Sequence, residues 1–333
     1  MDWNGKKVLV TGASGFVGSW LTKTLIEKGA DVTALSWGDI SKSVLGFEGM
    51  VDKIKFIKCD IRDYNAVNEA LNKSSPTIVF HLAAQAIVGK ANESPLPTFQ
   101  VNVNGTLNLL EALRNSRNVE AIVVASTDKV YGEPIQLPIT ENHPLLATYP
   151  YDVSKACADI ISRMYFRTYG LPIAVTRCCN IYGGGDLNFS RIVPDTVRSV
   201  ILNRNPIIRS DGTPVRDFIH VDDAVRAYIV LAENIERKDV SGEAFNFGSN
   251  SPISILELVK KIIEISGKKL QPDIRGKGVP KGEISRQYLS SEKAKKLLNW
   301  QPEVKLEDGL KKTIVWYSKY FKWAVKDLRL SAV

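Results

Sequence analysis

Tyr151 and Lys155, two side chains able to move protons, stand four residues apart in the run Tyr-Asp-Val-Ser-Lys. On a helix that spacing puts both on one face, about one turn apart. An ammonium beside a phenol favours the phenolate and pulls the tyrosine pKa down from about 10. The phenol can then take a proton from a hydroxyl while hydride leaves the carbon that bears it. A Tyr-x-x-x-Lys pair also arises by chance on amphipathic helices, so its weight rests on its neighbours. Ser126 and Thr127 close the apolar run that precedes this helix, which places a hydroxyl where it can bond the oxygen being deprotonated.

A hydride needs an acceptor, and the N-terminus supplies a site for one. Thr11-Gly12-Ala13-Ser14-Gly15-Phe16-Val17-Gly18 follows an apolar strand and opens a helix, the context that a dinucleotide-binding turn requires. Gly12 allows the tight turn, Gly15 lets backbone approach phosphate, and Gly18 permits close packing of helix on strand. The helix N-terminus then offers free N–H groups and a partial positive charge to a pyrophosphate. The residue that reads the adenosine ribose is expected at the end of the second strand, at Ser36. Neither an acid nor a cation stands at that tip, although Asp39 is near enough to reach back, so NAD is favoured over NADP only because no cation is there to hold an extra phosphate. Asp60 and Ile61, just past the third strand, are placed to touch the adenine, with a solvated loop aspartate as the competing reading.

These groups need a scaffold. Short apolar runs alternate with stretches of helical period, the pattern of β-α-β units and a parallel sheet. Strands are predicted at Lys7 to Thr11, Asp31 to Ser36, Lys55 to Lys58, Thr77 to His81, Ala121 to Ser126 and Pro172 to Arg177. Helices are predicted over Gly15 to Lys28, Tyr64 to Asn72, Pro97 to Asn115 and Tyr151 to Tyr169. Beyond Asn180 the rhythm loosens into glycine, proline and polar loops, such as Arg275 to Glu283, with helices over Ile192 to Leu202, Asp222 to Asn234 and Ile255 to Ser266. The expected fold class is α/β: a Rossmann doubly wound parallel sheet in residues 1–180, with later segments returning to it, and a smaller α/β lobe in 181–333. Ligands of such sheets bind beyond the carboxyl ends of the strands, where all these motifs fall.

The 333 residues carry 44 Lys and Arg against 36 Asp and Glu, a net charge of +8. The excess is spread out, densest around Lys260 to Lys281, and reads as a solvated basic surface suited to an anionic small molecule, not as a nucleic-acid site. The four cysteines form no CxxC pair and the three histidines lie far apart, so neither a disulfide nor a metal site is expected. No apolar run is long enough to span a membrane, and Met1 to Lys7 is polar, so a cytoplasmic protein is expected.

Taken together, TGASGFVG, DIRD, HLAAQ, the Asn102 to Leu110 helix, STDKVYG, YDVSK, NIYGGG, RDFIHVDD and LNWQP resemble the extended short-chain dehydrogenase/reductase family, in particular its nucleotide-sugar epimerases and dehydratases. The resemblance implies that Leu82, Ala83 and Ala84 line the cofactor cleft, that Thr127, Tyr151 and Lys155 are catalytic, and that a nucleotide-diphosphate sugar lies between the lobes. It also implies that Gln85, Asn180 and Asn188 contact substrate, that Arg216 and Arg286 lie near the diphosphate, and that Asn188, Phe189, Arg191 and Arg209 border the nucleotide. Arg216 beside Asp217 also reads as a local ion pair. A homodimer is implied, formed by the Asn102 to Leu113 and Tyr151 to Tyr169 helices, with Ile161, Met164, Tyr165 and Tyr169 divided between core and interface.

Within such a family, a 4-epimerase oxidises C4, rotates the ketosugar and returns the hydride. A 4,6-dehydratase must in addition remove the C5 proton and expel the C6 hydroxyl as water, so it needs a further acid and base. Asp128 can protonate the departing oxygen if burial raises its pKa. Similar dehydratases often carry Asp-Glu at positions 128 and 129, whereas this chain has Asp-Lys, which together with FVGSWL and RCCNIYGGGD resembles the CDP-glucose 4,6-dehydratase branch. Lys129 is then either the C5 base or a cation that orients Asp128. The expected function is a nucleotide-sugar 4,6-dehydratase that recycles NAD internally. A UDP-sugar 4-epimerase and a non-catalytic dinucleotide sensor are the alternatives.

Overall fold

The computed structural model describes residues 1–116, 118–278 and 284–327. The end of the basic stretch at Lys281 and the end of the Arg275 to Glu283 loop lie outside them. Six strands, β1 (Lys7–Thr11), β2 (Asp31–Ser36), β3 (Lys55–Lys58), β4 (Ile78–His81), β5 (Ala121–Thr127) and β6 (Ile173–Cys178), form one sheet with a later strand, Ala244–Phe247. The spatial order is Ala244–Phe247, β6, β5, β4, β1, β2, β3, and every pairing is parallel. The chain winds outward from β1 through β2 to β3, then crosses to the other side at β4. That reversal opens a crevice at the carboxyl ends of β1 and β4.

Alternate residues of each strand feed two cores. Val8, Val10, Ile78, Phe80, Ala121 and Val123 face the helices Phe16–Glu27 and Val221–Glu233. Leu9, Val79, Ile122 and Val124 face the helices Tyr64–Ser74, Gly105–Arg114 and Pro150–Tyr169. Burial on both faces explains why these strands read as continuous apolar runs. A third core, with Val193, Val197, Ile262 and Trp316 among its buried members, joins the helices Ile192–Ile201, Ile255–Ser266 and Leu306–Asp327.

The strand positions predicted for β1 through β6 agree with the structure to within one residue at each end. The predicted helix Pro97 to Asn115 instead runs as Pro95–Phe99, a π-helical turn Gln100–Asn104 and Gly105–Arg114. Several elements went unread, among them the short helices Val88–Glu93 and Glu292–Leu298 and two larger contributors to the cores. The strand Ala244–Phe247 is only four residues long, and the helix Leu306–Asp327 mixes lysines with aromatic residues throughout. Small two- and three-residue strands complete the C-terminal part: Asn180–Tyr182 pairs with Phe218–His220, and Val215–Arg216 lies between Ile253–Ser254 and Arg286–Gln287.

The four cysteines are free. Among the described residues no helix is long and apolar enough to cross a membrane, and no group of His, Cys, Asp and Glu could hold a metal ion.

Candidate active site

Past β1 the chain turns at Gly12, whose φ of +71° lies in the left-handed region. A Cβ there would come within 2.7 Å of the Ala83 amide nitrogen, so no larger residue fits. Thr11 Oγ1 braces the neighbouring loop by accepting from the Leu82 and Ala83 amides at 3.2 and 3.1 Å, and it meets His81 Nδ1 at 2.8 Å. Burial, with help from the Lys155 charge, holds the His81 pKa down to about 3, so the ring is a neutral strut between Thr11 and Thr106.

The helix Phe16–Glu27 starts at Gly15 without a side-chain cap and without an acid in its first turn. Its amides and dipole are therefore available to an anion. Ser14 Oγ lies 2.5 Å from Ser36 Oγ, which fixes the glycine turn against the end of β2. Asp39 lines the cleft, while its carboxylate accepts from the Ser41 amide and hydroxyl and caps the turn Ile40–Lys42. The fold does bring a cation to this end, because Lys42 lines the cleft. The strand tip alone could not reveal it, since Lys42 arrives six residues later on a short helical turn.

A cleft of about 1130 Å³ runs from this turn, across the ends of β4 and β5, to the C-terminal lobe. Gly12, Ser14, Gly15, Phe16, Val17 and Gly18 form one end of its wall, with Leu82, Ala84 and Gln85 beside them. Thr127, Asp128, Lys129, Tyr151 and Lys155 line its middle. Asn180, Asn188, Arg191, Arg209 and Arg216 line the far part. Six predicted residues fall elsewhere, among them Phe189, whose ring packs against Tyr317 and Phe321. Ser36 is buried behind Ser14, and Ala83 supplies its amide to Thr11. The Asp60 carboxylate is taken by Arg62 at 2.6 Å, and Ile61 packs where a Cβ on Gly105 would meet its side chain at 2.6 Å. Arg286 is exposed on the strand Arg286–Gln287 and is not on the cleft wall.

Thr127 ends β5, and its hydroxyl donates to Asp128 Oδ1 at 3.1 Å while accepting from the Lys129 amide at 3.4 Å. These contacts cap the helical turn Asp128–Tyr131. Asp128 is only 2% exposed and its Oδ2 has no hydrogen-bond partner. Burial raises its pKa above the ordinary carboxylate value, against the opposing pull of Lys129, Thr127 and Arg216. A carboxyl whose ionisation burial disfavours in this way is suited to donate a proton.

Tyr151 and Lys155 share a face of the helix Pro150–Tyr169, as their spacing requires. Their electrostatics differ from expectation. Burial pushes the Tyr151 phenol up to about 12, with Asp152 and Asp128 adding to the rise and Arg191 and the Thr127 hydroxyl opposing it. Lys155 does not set this shift, because its ammonium donates to the Ala125 carbonyl on β5. Burial lowers the Lys155 pKa to about 8, with Asp159 opposing.

The π-helical turn explains how this helix is held in place. Asn102 Nδ2 donates to the Gln85 carbonyl at 3.1 Å and to Ser154 Oγ at 2.9 Å, while Oδ1 accepts from the Gln85 amide at 2.8 Å. Ser154 Oγ in turn donates to the Tyr151 carbonyl at 2.7 Å. The loop after β4 is thereby tied to the catalytic helix, a common use of a π turn. The Gln85 side chain is spent in the loop, bonding Ile87 and Thr98, which leaves its position on the wall but not its amide for a ligand.

In the far part, Asn180 Nδ2 donates to the Asp217 carbonyl at 3.0 Å, and Asn188 Oδ1 accepts from Ser190. Arg191 pairs with Asp186 at 2.9 Å and Arg209 lies 3.6 Å from Asp195. Arg216 donates to the Val215 carbonyl at 2.9 Å, while the Asp217 carboxylate receives Ser249. Two further wall residues carry buried oxygens without partners: Ser126, which the sequence placed with Thr127 at the end of β5, and Asp152, which it did not single out. The Asp152 oxygen is Oδ1, and this residue sits beside Tyr151.

Comparison with known proteins matches residues 9–313 to the family described as GDP-mannose 4,6 dehydratase. The chain is 30% identical over 334 residues to the CDP-glucose 4,6-dehydratase of Salmonella typhimurium, covering 96% of this chain and 92% of that one. Among solved structures, the UDP-glucose 4-epimerase of Thermotoga maritima, with UDP-glucose, superposes with a TM-score of 0.86 at 30% identity, covering 94% of this chain and 99% of that one. The dTDP-glucose 4,6-dehydratase of Bacillus anthracis, in complex with NAD, gives 0.83 at 29% identity over 96% and 98%.

Proposed function

Because the chain belongs to the extended short-chain dehydrogenase/reductase family of NAD-dependent nucleotide-sugar epimerases and dehydratases, we propose that it is a nucleotide-sugar 4,6-dehydratase acting on an NDP-hexose of the CDP-glucose kind. The observation that carries the choice of dehydratase is Asp128. A 4-epimerase has no use for a second proton donor, whereas this cleft contains a buried carboxyl with one free oxygen, held beside the tyrosine by Thr127. NAD suits the glycine turn, where the side-chain-free surface at Gly12 and Gly15 and the uncapped helix would cradle its pyrophosphate. Bound there, NAD would supply the acceptor and later the donor of a hydride.

The chain's own groups would do the rest. Tyr151, once ionised against the burial that raises its pKa, takes the proton of the C4 hydroxyl, with the Thr127 hydroxyl orienting that oxygen. Ketone formation makes the C5 proton acidic, Asp128 protonates the C6 oxygen as it leaves as water, and Lys129 stands beside Asp128 as the cation of the elimination step. Lys155 holds the cofactor ribose, and Arg191, Arg209 and Arg216 offer planar donor forks to the nucleotide diphosphate. The product is an NDP-4-keto-6-deoxyhexose. A cytoplasmic homodimer also belongs to this reading: Leu107, Ile160, Met164 and Tyr169 point outward from the two helices concerned, while Tyr165 is buried and bonded to Glu111.

Incubation with CDP-glucose, GDP-mannose, UDP-glucose and dTDP-glucose should yield, from one of them, the ketosugar chromophore that develops in base. A product with only an inverted C4 hydroxyl would instead identify a 4-epimerase, the reading favoured by likeness to the Thermotoga enzyme. Turnover of either kind excludes a non-catalytic sensor. Asp128→Asn should keep C4 oxidation and lower water loss by about a hundredfold or more.

A further inference from the structure

Elimination across C5 and C6 needs a base as well as an acid, and the structure holds a carboxylate that the sequence did not single out. We propose that Asp152 is the group that accepts the C5 proton, with Lys129 as its counter-cation. This assignment rests on the dehydratase reading above.

Asp152 follows Tyr151 in the first turn of the helix Pro150–Tyr169 and lines the same cleft. An acid in a first helical turn is ordinarily explained by the helix dipole, and there it is solvated. Asp152 departs from that case. It is 5% exposed, and its Oδ1 is buried without a hydrogen-bond partner. A buried, unpartnered carboxylate oxygen costs stability, so its retention calls for a reason beyond folding. Asp128, on the turn after β5, meets the same description through its Oδ2. Two elements therefore converge on the cleft with one open carboxyl oxygen each, and Tyr151 stands on the same helix turn as Asp152.

The charged groups around the pair divide the roles. Lys129 acts on both carboxyls and favours their ionised forms, while the charge of Asp128 disfavours ionisation of Asp152. Two carboxyls close enough to interact do not ionise together, so one is an acid while the other is a base. Asp128 is the more deeply enclosed and is hydrogen-bonded to the Thr127 hydroxyl, which suits the acid. Asp152 is held near pH 6 by burial, opposed by Lys129, which suits a base that must both take and return a proton near neutral pH.

The step balances as follows. The C5–H bond breaks and its proton moves to an Asp152 oxygen. The electron pair forms the C5–C6 double bond as the C6–O6 bond breaks, and O6 leaves as water with the Asp128 proton. C6 then receives the hydrogen and electron pair taken earlier from C4, and Asp152 returns its proton to C5. Asp128 regains a proton from Tyr151, which took one from the C4 hydroxyl; Thr127, in hydrogen-bond contact with both, is the bridge.

The test uses the whole protein and the sugar nucleotide that the panel above identifies, in deuterated water. Wild-type protein should place solvent deuterium at C5 of the product. Asp152→Asn should still oxidise C4 but lose water elimination and C5 labelling by about a hundredfold or more, with unchanged affinity for substrate. Asp152→Ala should regain part of the rate when formate is added, which a merely structural aspartate would not do. Lys129→Met should keep C5 labelling and shift the acid limb of the pH profile upward, because the cation that favours the Asp152 carboxylate has gone. Asp152→Asn that dehydrates within threefold of wild type overturns the assignment, as does loss of C5 labelling in Lys129→Met with retention in Asp152→Asn. If wild-type protein dehydrates no sugar and only inverts C4, the dehydratase reading itself has failed.

Discussion

The helix Pro150–Tyr169 carries two buried ionic clusters only two turns apart, and they are built on opposite principles. Near its middle, Asp159 receives Arg177 through two bonds of 2.8 and 2.9 Å, and Arg177 also donates to Tyr131 Oη at 2.9 Å. The Tyr131 hydroxyl in turn donates to Asn246 Oδ1 at 2.7 Å, so the cluster clamps this helix to β6, to the turn after β5 and to the strand Ala244–Phe247. Burial works against the Arg177 charge, yet the bonds from Asp159 hold it protonated. At the helix start, Asp152 and Asp128 are as deeply buried but each keeps an oxygen without a partner. In the first cluster Asp159, Arg177, Tyr131 and Asn246 are bonded to one another and hold the molecule together. The second is left unsatisfied where a substrate can complete it.

Removing a partner should therefore have opposite consequences in the two places. Asp159→Ala leaves the Arg177 guanidinium buried without its counter-charge, and losses of this kind run to about 3–5 kcal/mol. Urea unfolding followed by circular dichroism would measure it. A loss below about 1 kcal/mol would mean that the clamp contributes little and that the contrast between the clusters is only geometric.

A second separation is by pH. Asp152 has an ordinary pKa of 3.8 unfolded and about 6 in the folded protein. Its folded value is raised, so the native state binds the proton more tightly, and whatever stability it contributes is present below about pH 4. As pH rises through about 6 the native carboxyl must ionise against burial, and stability falls by something on the order of 2 kcal/mol. The gap between Asp152→Asn and wild type in urea midpoint should therefore widen from pH 4 to pH 7. A gap that stays constant across that range would remove the electrostatic distinction between the two clusters.

How much of this was readable from the chain follows the same divide. β1, β2 and β4 to β6 declared themselves because they are buried on both faces, and the glycine turn because only a residue without a Cβ fits against Ala83. Tyr151 and Lys155 were legible through helical spacing, but their electrostatics were not. Spacing says that two side chains share a face, not that the Ala125 carbonyl captures the ammonium or that burial dominates the phenol. Asp152 was invisible for a related reason. An acid in a first helical turn is what any stable helix prefers, and only the tertiary fold distinguishes a solvated cap from a carboxylate sunk in a cleft. Lys42, Asp60, Ile61 and Arg286 were governed by loop paths, which carry no periodic signal.

The smallest expected change in stability is also the sharpest test of the comparison. Asp128→Asn keeps the shape of the side chain and an oxygen to accept from Thr127, while it removes a group whose ionisation burial opposes. The substituted amide nitrogen takes the place of an oxygen that already has no partner, so no satisfied bond is lost. The melting temperature should stay level or rise, by an amount equivalent to about 1 kcal/mol or less, in the same protein that has lost water elimination. A clear fall in melting temperature would place Asp128 with Asp159 as a structural clamp, and the acid at C6 would have to be sought elsewhere in the cleft.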